Sequence, residues 1–451
     1  MSHILLTGAT GFIGRHLVFA LLNKGHQVTA CSRSAASLQR LYGDKVTPIS
    51  IDFANATSPQ DWLSYLEGNN TGVDVVINAA GIITETATQS FDDIHTNAPV
   101  ALFNACVAAG VNRVIQVSAL GADTEINQNQ NDNQTAHMSH YHQSKQAADD
   151  VLMSLPLDWF VLRPSIIYGD GAKSMGLFQA LSILPLVPLV GSGKQLIQPI
   201  HIDDVVASII AAIDSCSTAQ KQIDLVGSSV ISYASFMQKM RAWLNDASAT
   251  KQPFRTFKMS LGVSKQLVKL GRLISEPALN PETMQMLDHS KVYNVAEVET
   301  HLQRPLQSLD QYLQNNPVTQ AQRWHSRLYL LRPLMRYVLA FVWIWTGIVS
   351  AFLYPQEQSY QLLSAVGISG VVLPIMLYSA AFIDFIIGIS VLFAWRVRLV
   401  AQLQIGMIVI YTIIISFALP DFWLHPFGPI LKNLPLLIFI VIWSVLEEQK
   451  P

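Results

Sequence analysis

The stretch Ile4-Leu5-Leu6-Thr7-Gly8-Ala9-Thr10-Gly11-Phe12-Ile13-Gly14 decides how the first half of this chain folds. Ile4 to Thr7 is a short apolar run of the kind that forms a buried strand. It breaks into glycines spaced Gly-x-x-Gly-x-x-Gly, and a helical pattern runs from Arg15 to Lys24. A strand, a glycine-rich turn and a helix in that order make a dinucleotide cradle. Gly8 permits the tight turn. Gly11 lets a pyrophosphate approach with no Cβ in the way. Gly14 lets the helix pack close on the strand. Phosphates would then rest on free N–H groups at the helix N-terminus, with Thr10, Phe12 and Ile13 completing the cradle.

Working outward, strand and helix alternate from Met1 to about Ala212. The expected strands are His3–Thr7, Gln27–Cys31, Val46–Ile51, Val73–Asn78, Arg113–Val117 and Trp159–Arg163. Helices fall between them, among them Val100–Ala109 and Tyr141–Leu155. This alternation predicts an α/β fold, a doubly wound parallel sheet of the Rossmann type. The second strand ends in Cys31-Ser32-Arg33, without the acid that holds a ribose 2′-hydroxyl in NAD-binding folds. Arg33 suits a 2′-phosphate, so NADP is the expected cofactor and NAD the less favoured one. Asp52 and Phe53 follow the third strand, where an acid accepts from the adenine amino group and its neighbour packs on the ring. Asn78-Ala79-Ala80-Gly81 follows the fourth, and its small residues let a cofactor lie against the backbone.

Tyr141-His142-Gln143-Ser144-Lys145 carries the candidate chemistry. Tyr141 and Lys145 lie on one helix face at i, i+4. A free tyrosine titrates near 10, so an adjacent ammonium is expected to favour the phenolate and fit it for proton transfer.

The turn Thr7–Gly14, Asn78–Gly81, the Tyr141/Lys145 pair and Arg163-Pro164-Ser165 together resemble the short-chain dehydrogenase/reductase superfamily over about residues 1–300. Within it, Val117–Asp123 and Leu162–Gly169 look most like the atypical branch, which includes the nucleotide-binding accessory subunit of respiratory complex I. The epimerase/dehydratase branch is similar too. The resemblance implies Tyr141 and Lys145 as a catalytic pair, Ser118 as a substrate-orienting hydroxyl, and Pro164 beside the cofactor. Ser118 is followed by Ala119 and Leu120, whereas extended members carry further Ser or Thr there. The branch also has members that bind nucleotide without turnover. Asn97 matches a structural asparagine of the superfamily, and Asp204 a helix-capping acid.

His137, His140 and His142 cluster in the polar stretch Gln128–His142, which reads as an active-site loop. No acid or cysteine completes a metal set there, and no metal is expected. Leu177 to Val190 is very apolar, as a core helix, a hydrophobic pocket or a membrane contact would be. The net charge of −2 gives no support for nucleic-acid binding. Cys31, Cys106 and Cys216 form no disulfide or metal pattern.

From Leu334 onward the chain changes character. The whole sequence is 50% hydrophobic and 13% charged, and the deficit of charge lies at this end. Four apolar stretches, Val338–Tyr354, Val371–Trp395, Val400–Leu419 and Ile430–Leu446, reach or approach the length of a membrane span. Arg323, Arg327, Arg332 and Arg336 precede the first, and Arg396 and Arg398 separate the second from the third. The positive-inside rule then places both termini in the cytoplasm, at a cytoplasmic membrane. Asp384 sits inside the second span, where an acid is costly and faces protein or a cavity. Trp345–Ser350, Asp384 with Gly388, and His425–Pro429 with Lys432–Pro435 resemble the DoxX-like membrane family over about residues 330–447.

The expected domains are a dehydrogenase-like domain over residues 1–310, with substrate-pocket elements from about 171, a linker over 311–333, and a four-span transmembrane domain over 334–451. The expected function is a membrane-anchored NAD(P)-dependent oxidoreductase moving hydride to or from an apolar or lipid-like substrate. The alternatives are an NADP(H)-binding sensor or assembly factor with a membrane protein partner, and a nucleotide-sugar epimerase or dehydratase.

Overall fold

Strand β1 (His3–Thr7) stands at the centre of a parallel sheet because its side chains are apolar on both faces. Ile4 and Leu6 enter one core and Leu5 the other, all fully buried. The structure is a computed structural model, and it describes residues 1–67, 72–111, 113–122, 138–215, 220–245, 254–259 and 292–448. The chain divides into two compact units, Met1–Arg323 and Trp324–Pro451.

In the first unit, β1 is followed by β2 (Gln27–Ser32), β3 (Thr47–Ser50), β4 (Val75–Asn78), β5 (Arg113–Val117) and β6 (Asp158–Pro164). Each lies within two residues of its expected place. A seventh strand, Lys221–Leu225, joins the far edge beside β6. Its mixed sequence Lys-Gln-Ile-Asp-Leu hides it from pattern reading. The spatial order is Lys221–Leu225, then β6-β5-β4-β1-β2-β3, with every neighbour pair parallel. The direction of winding reverses between β1 and β4, and ligands of doubly wound sheets bind outside the carboxyl ends of the strands at such a point.

Helices α1 (Phe12–Asn23), α2 (Ala35–Tyr42), α3 (Gln60–Glu67), α4 (Ala98–Ala109) and α5 (His140–Ser154) cover the sheet. Ser34 caps α2 by accepting from the Ser37 N–H, and Ser139 caps α5 by accepting from the His142 N–H. Arg113 ties the sheet to the helix Ile202–Asp214. Its guanidinium pairs with buried Asp158 and donates to the carbonyls of Ala212, Ile213 and Ser215 at 3.1, 2.9 and 2.7 Å. Asp204 is buried too, but it does not cap that helix: His201 does, accepting from the Asp203 N–H. Asp204 instead pairs with Arg304 and accepts from the Gln307 N–H. From the apolar run Leu177–Val190, Phe178, Leu181, Val187, Leu189 and Val190 join a third core with Tyr233, Phe236 and Met240, while Leu186 stays exposed.

Among the described residues, three helices are long and apolar enough to cross a membrane: Gln320–Leu353, which starts at the end of the first unit, and Val372–Leu392 and Val397–Ala418 in the second. The fourth expected span is the helix Asn433–Glu448. At 16 residues it rises about 24 Å, short of the ~30 Å hydrocarbon layer. A shorter helix, Gln356–Ala365, was not anticipated. Of the stretch 311–333 expected to link the units, residues to Asn315 are in the helix Leu309–Asn315, and those from Gln320 begin the long helix. The four apolar helices share a core of Leu339, Trp343, Val391, Ile408, Ile440 and Trp443. Two glycines make close packing possible. A Cβ on Gly347 would stand 2.7 Å from the Ala381 carbonyl oxygen, and one on Gly388 2.8 Å from the Ile344 nitrogen. Glu447 pairs with Arg332 and Arg336, which brings the end of the last helix beside the middle of the helix that begins at Gln320. The opposite faces expose Phe341, Phe352, Phe382 and Phe417, a surface suited to lipid.

Candidate functional site

Gly8 turns the chain at the end of β1 with φ +67°, a conformation disfavoured by a Cβ. A Cβ there would also lie 2.5 Å from the Ala79 carbonyl oxygen, so the turn packs directly on the segment after β4. Gly14 is equally constrained: its Cβ would meet the Gly8 oxygen at 2.2 Å. Gly11 differs. It is exposed, its φ is −73°, and a Cβ would meet only the Gly8 oxygen, at 3.1 Å. It caps α1 without any side-chain hydrogen bond, and the first turn carries no acid. Open N–H groups beside an open glycine fit the pyrophosphate of a dinucleotide. Two residues unremarked in the sequence brace the turn: the Tyr42 hydroxyl donates to the Ala9 carbonyl at 2.7 Å, and Arg15 Nε to the Thr10 carbonyl at 2.8 Å.

The sheet order lines the remaining candidates along one edge. Asp52 follows β3, Arg33 follows β2, the glycine turn follows β1, Ala79–Gly81 follow β4, Ser118 follows β5 and Pro164 ends β6. At ~4.8 Å per strand, β3 to β5 spans about 19 Å. Arg33 is exposed, and its side chain makes no hydrogen bond or ion pair among the described residues. Asp52 is exposed but accepts from the Ala54 N–H and from Asn55 Nδ2. The Phe53 ring does not reach this edge. It is buried edge-on against Trp62, because the core on that face claims it. The Phe12 ring likewise packs inward, edge-on to His16.

The chemical end of the site lies between β4 and β5. Lys145, 4% exposed, reaches the strand ends and donates to the Val117 carbonyl at 3.2 Å and the Ala80 carbonyl at 3.4 Å. A Cβ on Gly81 would stand 3.3 Å from its Nζ. Tyr141 packs edge-on to Phe91, His95 and His142. Burial, and then the charge of Asp149, push Tyr141 up to about 12. The lowering expected from Lys145 is therefore reversed in the protein alone. Ser118 is 4% exposed and its hydroxyl donates to Asp149, one turn beyond Lys145 on α5. Burial drives Lys145 down and Asp149 up, each charge opposing the shift of the other.

His95, absent from the sequence reading, is fully buried here. Its Nε2 accepts from the Ile82 N–H at 3.0 Å, so Nδ1 carries the proton and donates to Ser144 Oγ at 3.0 Å. The Ser144 hydroxyl donates on to the Tyr141 carbonyl at 2.9 Å. Burial and the nearby Lys145 hold His95 well below the usual imidazole range. Asn97 stays outside this cluster, bonding Asp93 on the surface. A buried chain, Thr7 to Asn78 to Gln116, ties the ends of β1, β4 and β5 at 2.6 and 2.7 Å. The loop reading of residues 128–142 lies mostly outside the described residues, which resume at 138. Among the described residues no group of His, Cys, Asp or Glu is arranged to hold a metal.

Two family models match the chain: an NAD(P)H-binding family over residues 8–180 and the DoxX-like family over residues 340–441. The chain is similar to a ceramide reductase of Caulobacter vibrioides, 29% identical over 211 residues, 46% of this chain and 60% of that protein. It is also similar to the mitochondrial NADH dehydrogenase [ubiquinone] 1 alpha subcomplex subunit 9. For the Dictyostelium discoideum protein the identity is 28% over 236 residues, 51% of this chain and 60% of that one. For the Arabidopsis thaliana protein it is 31% over 233 residues, 49% and 53%. The chain thus spans about half to three fifths of the length of these relatives. Among solved structures it resembles MoeE5 in complex with UDP-glucose and NAD, at a TM-score of 0.50 and 21% identity, covering 73% of this chain and 99% of that one. It also resembles dTDP-glucose 4,6-dehydratase from Bacillus anthracis in complex with NAD, at 0.50 and 16%, covering 73% and 97%. At such identities the likeness is one of fold. The chain joins a Rossmann-like domain that matches an NAD(P)H-binding family over residues 8–180 to a domain that matches the DoxX-like family over residues 340–441.

Proposed function

We propose that this chain is a membrane-anchored, NADP-dependent oxidoreductase acting on an apolar, lipid-like substrate, with the catalytic domain and both termini on the cytoplasmic side. The observation that carries the reading is Lys145 Nζ lodged against the Val117 and Ala80 carbonyls, on the helix face that also bears Tyr141. A bound nicotinamide supplies or accepts hydride. Lys145 keeps a third N–H for a ribose hydroxyl, and Arg33 answers a 2′-phosphate. Tyr141, held up near 12, keeps its proton at neutral pH and suits donation to a substrate oxygen, the direction of carbonyl reduction. The apolar spans and the similarity to a ceramide reductase support a substrate drawn from lipid.

The test is NADPH oxidation by detergent-purified protein against a panel of long-chain carbonyls, with Tyr141→Phe beside wild type. The expected outcome is turnover that falls about 10²–10⁴-fold in the variant while NADPH still binds. Equal turnover in the two proteins refutes the role of Tyr141. A second reading, an NADP(H)-binding sensor or assembly factor without turnover, is favoured by one observation: the Ser118 proton is committed to Asp149 and not to a ligand. Tightly held NADPH that no carbonyl oxidises would establish that reading instead.

A further inference from the structure

Behind Lys145 lies a buried carboxylate that the proposed reaction leaves unused. Tyr141, Lys145 and Asp149 fall at i, i+4 and i+8 of α5, on one face, and Asp149 is 1% exposed. Two consecutive residues at the end of β5 fix the pair. The Val117 carbonyl accepts from Lys145 Nζ, and the Ser118 hydroxyl donates to Asp149 Oδ2. After Ser118 and Lys145, Gln116 on β5 and the charge of Arg163 also favour the carboxylate form of Asp149. A buried carboxylate stays ionised through such partners, and removing Lys145 or Asp149 strands the charge of the other.

We propose that Asp149 is a positioning residue for the cofactor site: with Lys145 it forms a neutral buried pair, so that an oxidised, positively charged nicotinamide is held about as well as the uncharged reduced one. This rests on the dinucleotide reading given above. Without the carboxylate, the Lys145 ammonium would oppose the oxidised ring with like charge. Other charged and titratable groups face the pair. Arg163 on β6 is engaged by Asp224 at 2.6 Å. His95 is held neutral by burial and by Lys145. Tyr141 precedes Lys145 on the same helix, and His140 and His142 flank it.

The test is the ratio of NADP+ to NADPH dissociation constants, measured on the full-length protein in detergent from about pH 8.5 to about pH 6, for wild type and Asp149→Asn. The 2′-phosphate is common to both forms, so its ionisation cancels in the ratio. Acidification gives the wild-type pair a second proton and a net positive charge, so the ratio rises against NADP+. In Asp149→Asn the same rise sets in at higher pH, because protonated Lys145 then stands alone. It reaches tenfold or more, since one unbalanced charge within about 12 Å at an effective dielectric near 20 is worth that much. Coincident profiles in the two proteins overturn the proposal while the dinucleotide reading stands. If the variant does not fold, the wild-type profile decides: a rise on acidification supports the pair, and a flat ratio overturns it. Wild type that binds neither NADP(H) nor NAD(H) overturns the dinucleotide reading, and this inference with it.

Discussion

Gly11 and Gly14 stand three residues apart in one turn, yet alanine at each should fail for different reasons. At Gly14 the new Cβ would sit 2.2 Å from the Gly8 oxygen and 2.9 Å from the Ala9 Cα, both backbone atoms. Ordinary contact needs about 3.4 Å or more, so α1 must move off β1 by roughly 1 Å. Overpacking of this kind costs about 1–3 kcal/mol, which for a domain of this size lowers Tm by roughly 2–10 °C. At Gly11 the Cβ would meet only the Gly8 oxygen at 3.1 Å, on a backbone whose φ of −73° any residue adopts. The loss there is the difference between glycine and alanine at an N-cap, at most about 1 kcal/mol. That Cβ would nevertheless stand where phosphate must approach the open N–H groups of α1. Nicotinamide fluorescence and thermal unfolding of detergent-purified protein separate the two effects. Gly11→Ala should keep Tm within about 4 °C of wild type and weaken NADPH at least about tenfold. Gly14→Ala should lose both. Undiminished NADPH binding by Gly11→Ala would refute the cradle, and a wild-type Tm in Gly14→Ala would refute the close packing of helix on strand.

Arg33→Ala should remove a preference for NADPH over NADH, about 10–100-fold for a lost charge-assisted hydrogen bond, as direct titration of the two cofactors would show. His95 is buried neutral, so below about pH 6.5 the unfolded chain binds a proton that the folded one refuses. Stability should therefore fall on acidification by up to about 1.4 kcal/mol per pH unit, and denaturant unfolding of His95→Gln between about pH 7.5 and about pH 5.5 should show a shallower slope. Arg113→Met removes the guanidinium that pairs with buried Asp158 and donates to the carbonyls of Ala212, Ile213 and Ser215. It should destabilise the first unit by about 3–5 kcal/mol in denaturant unfolding. A change below about 1 kcal/mol would refute that role.

Much of this protein is written in short-range pattern. The run Ile4–Thr7, the glycine spacing after it and the apolar periods of α1 and α4 each make a demand that residues within a few positions can meet. Backbone conformation and side-chain period are local properties, so sequence alone determined the alternating α/β order, six of the seven strands, the glycine cradle and the long apolar helices. The tertiary structure decided what crosses the chain. Nothing near Ser118 announces that its proton goes to Asp149, 31 residues away, or that His95 meets Ser144, 49 away. Tyr42 braces a turn 33 residues before it, and Phe53 turns from the cofactor edge into the core around Trp62. The sign of the Tyr141 shift was inverted for the same reason. The i+4 ammonium and the i+8 carboxylate are both legible in sequence, whereas the burial that dominates the shift exists only once α5 has packed on β5. The fourth apolar stretch reads as a span by composition, but its helix begins only at Asn433 because prolines and a positive-φ glycine occupy the turn before it. Local demands can be read residue by residue; the polarity of a buried site depends on which distant groups packing brings within reach, and folding sets that.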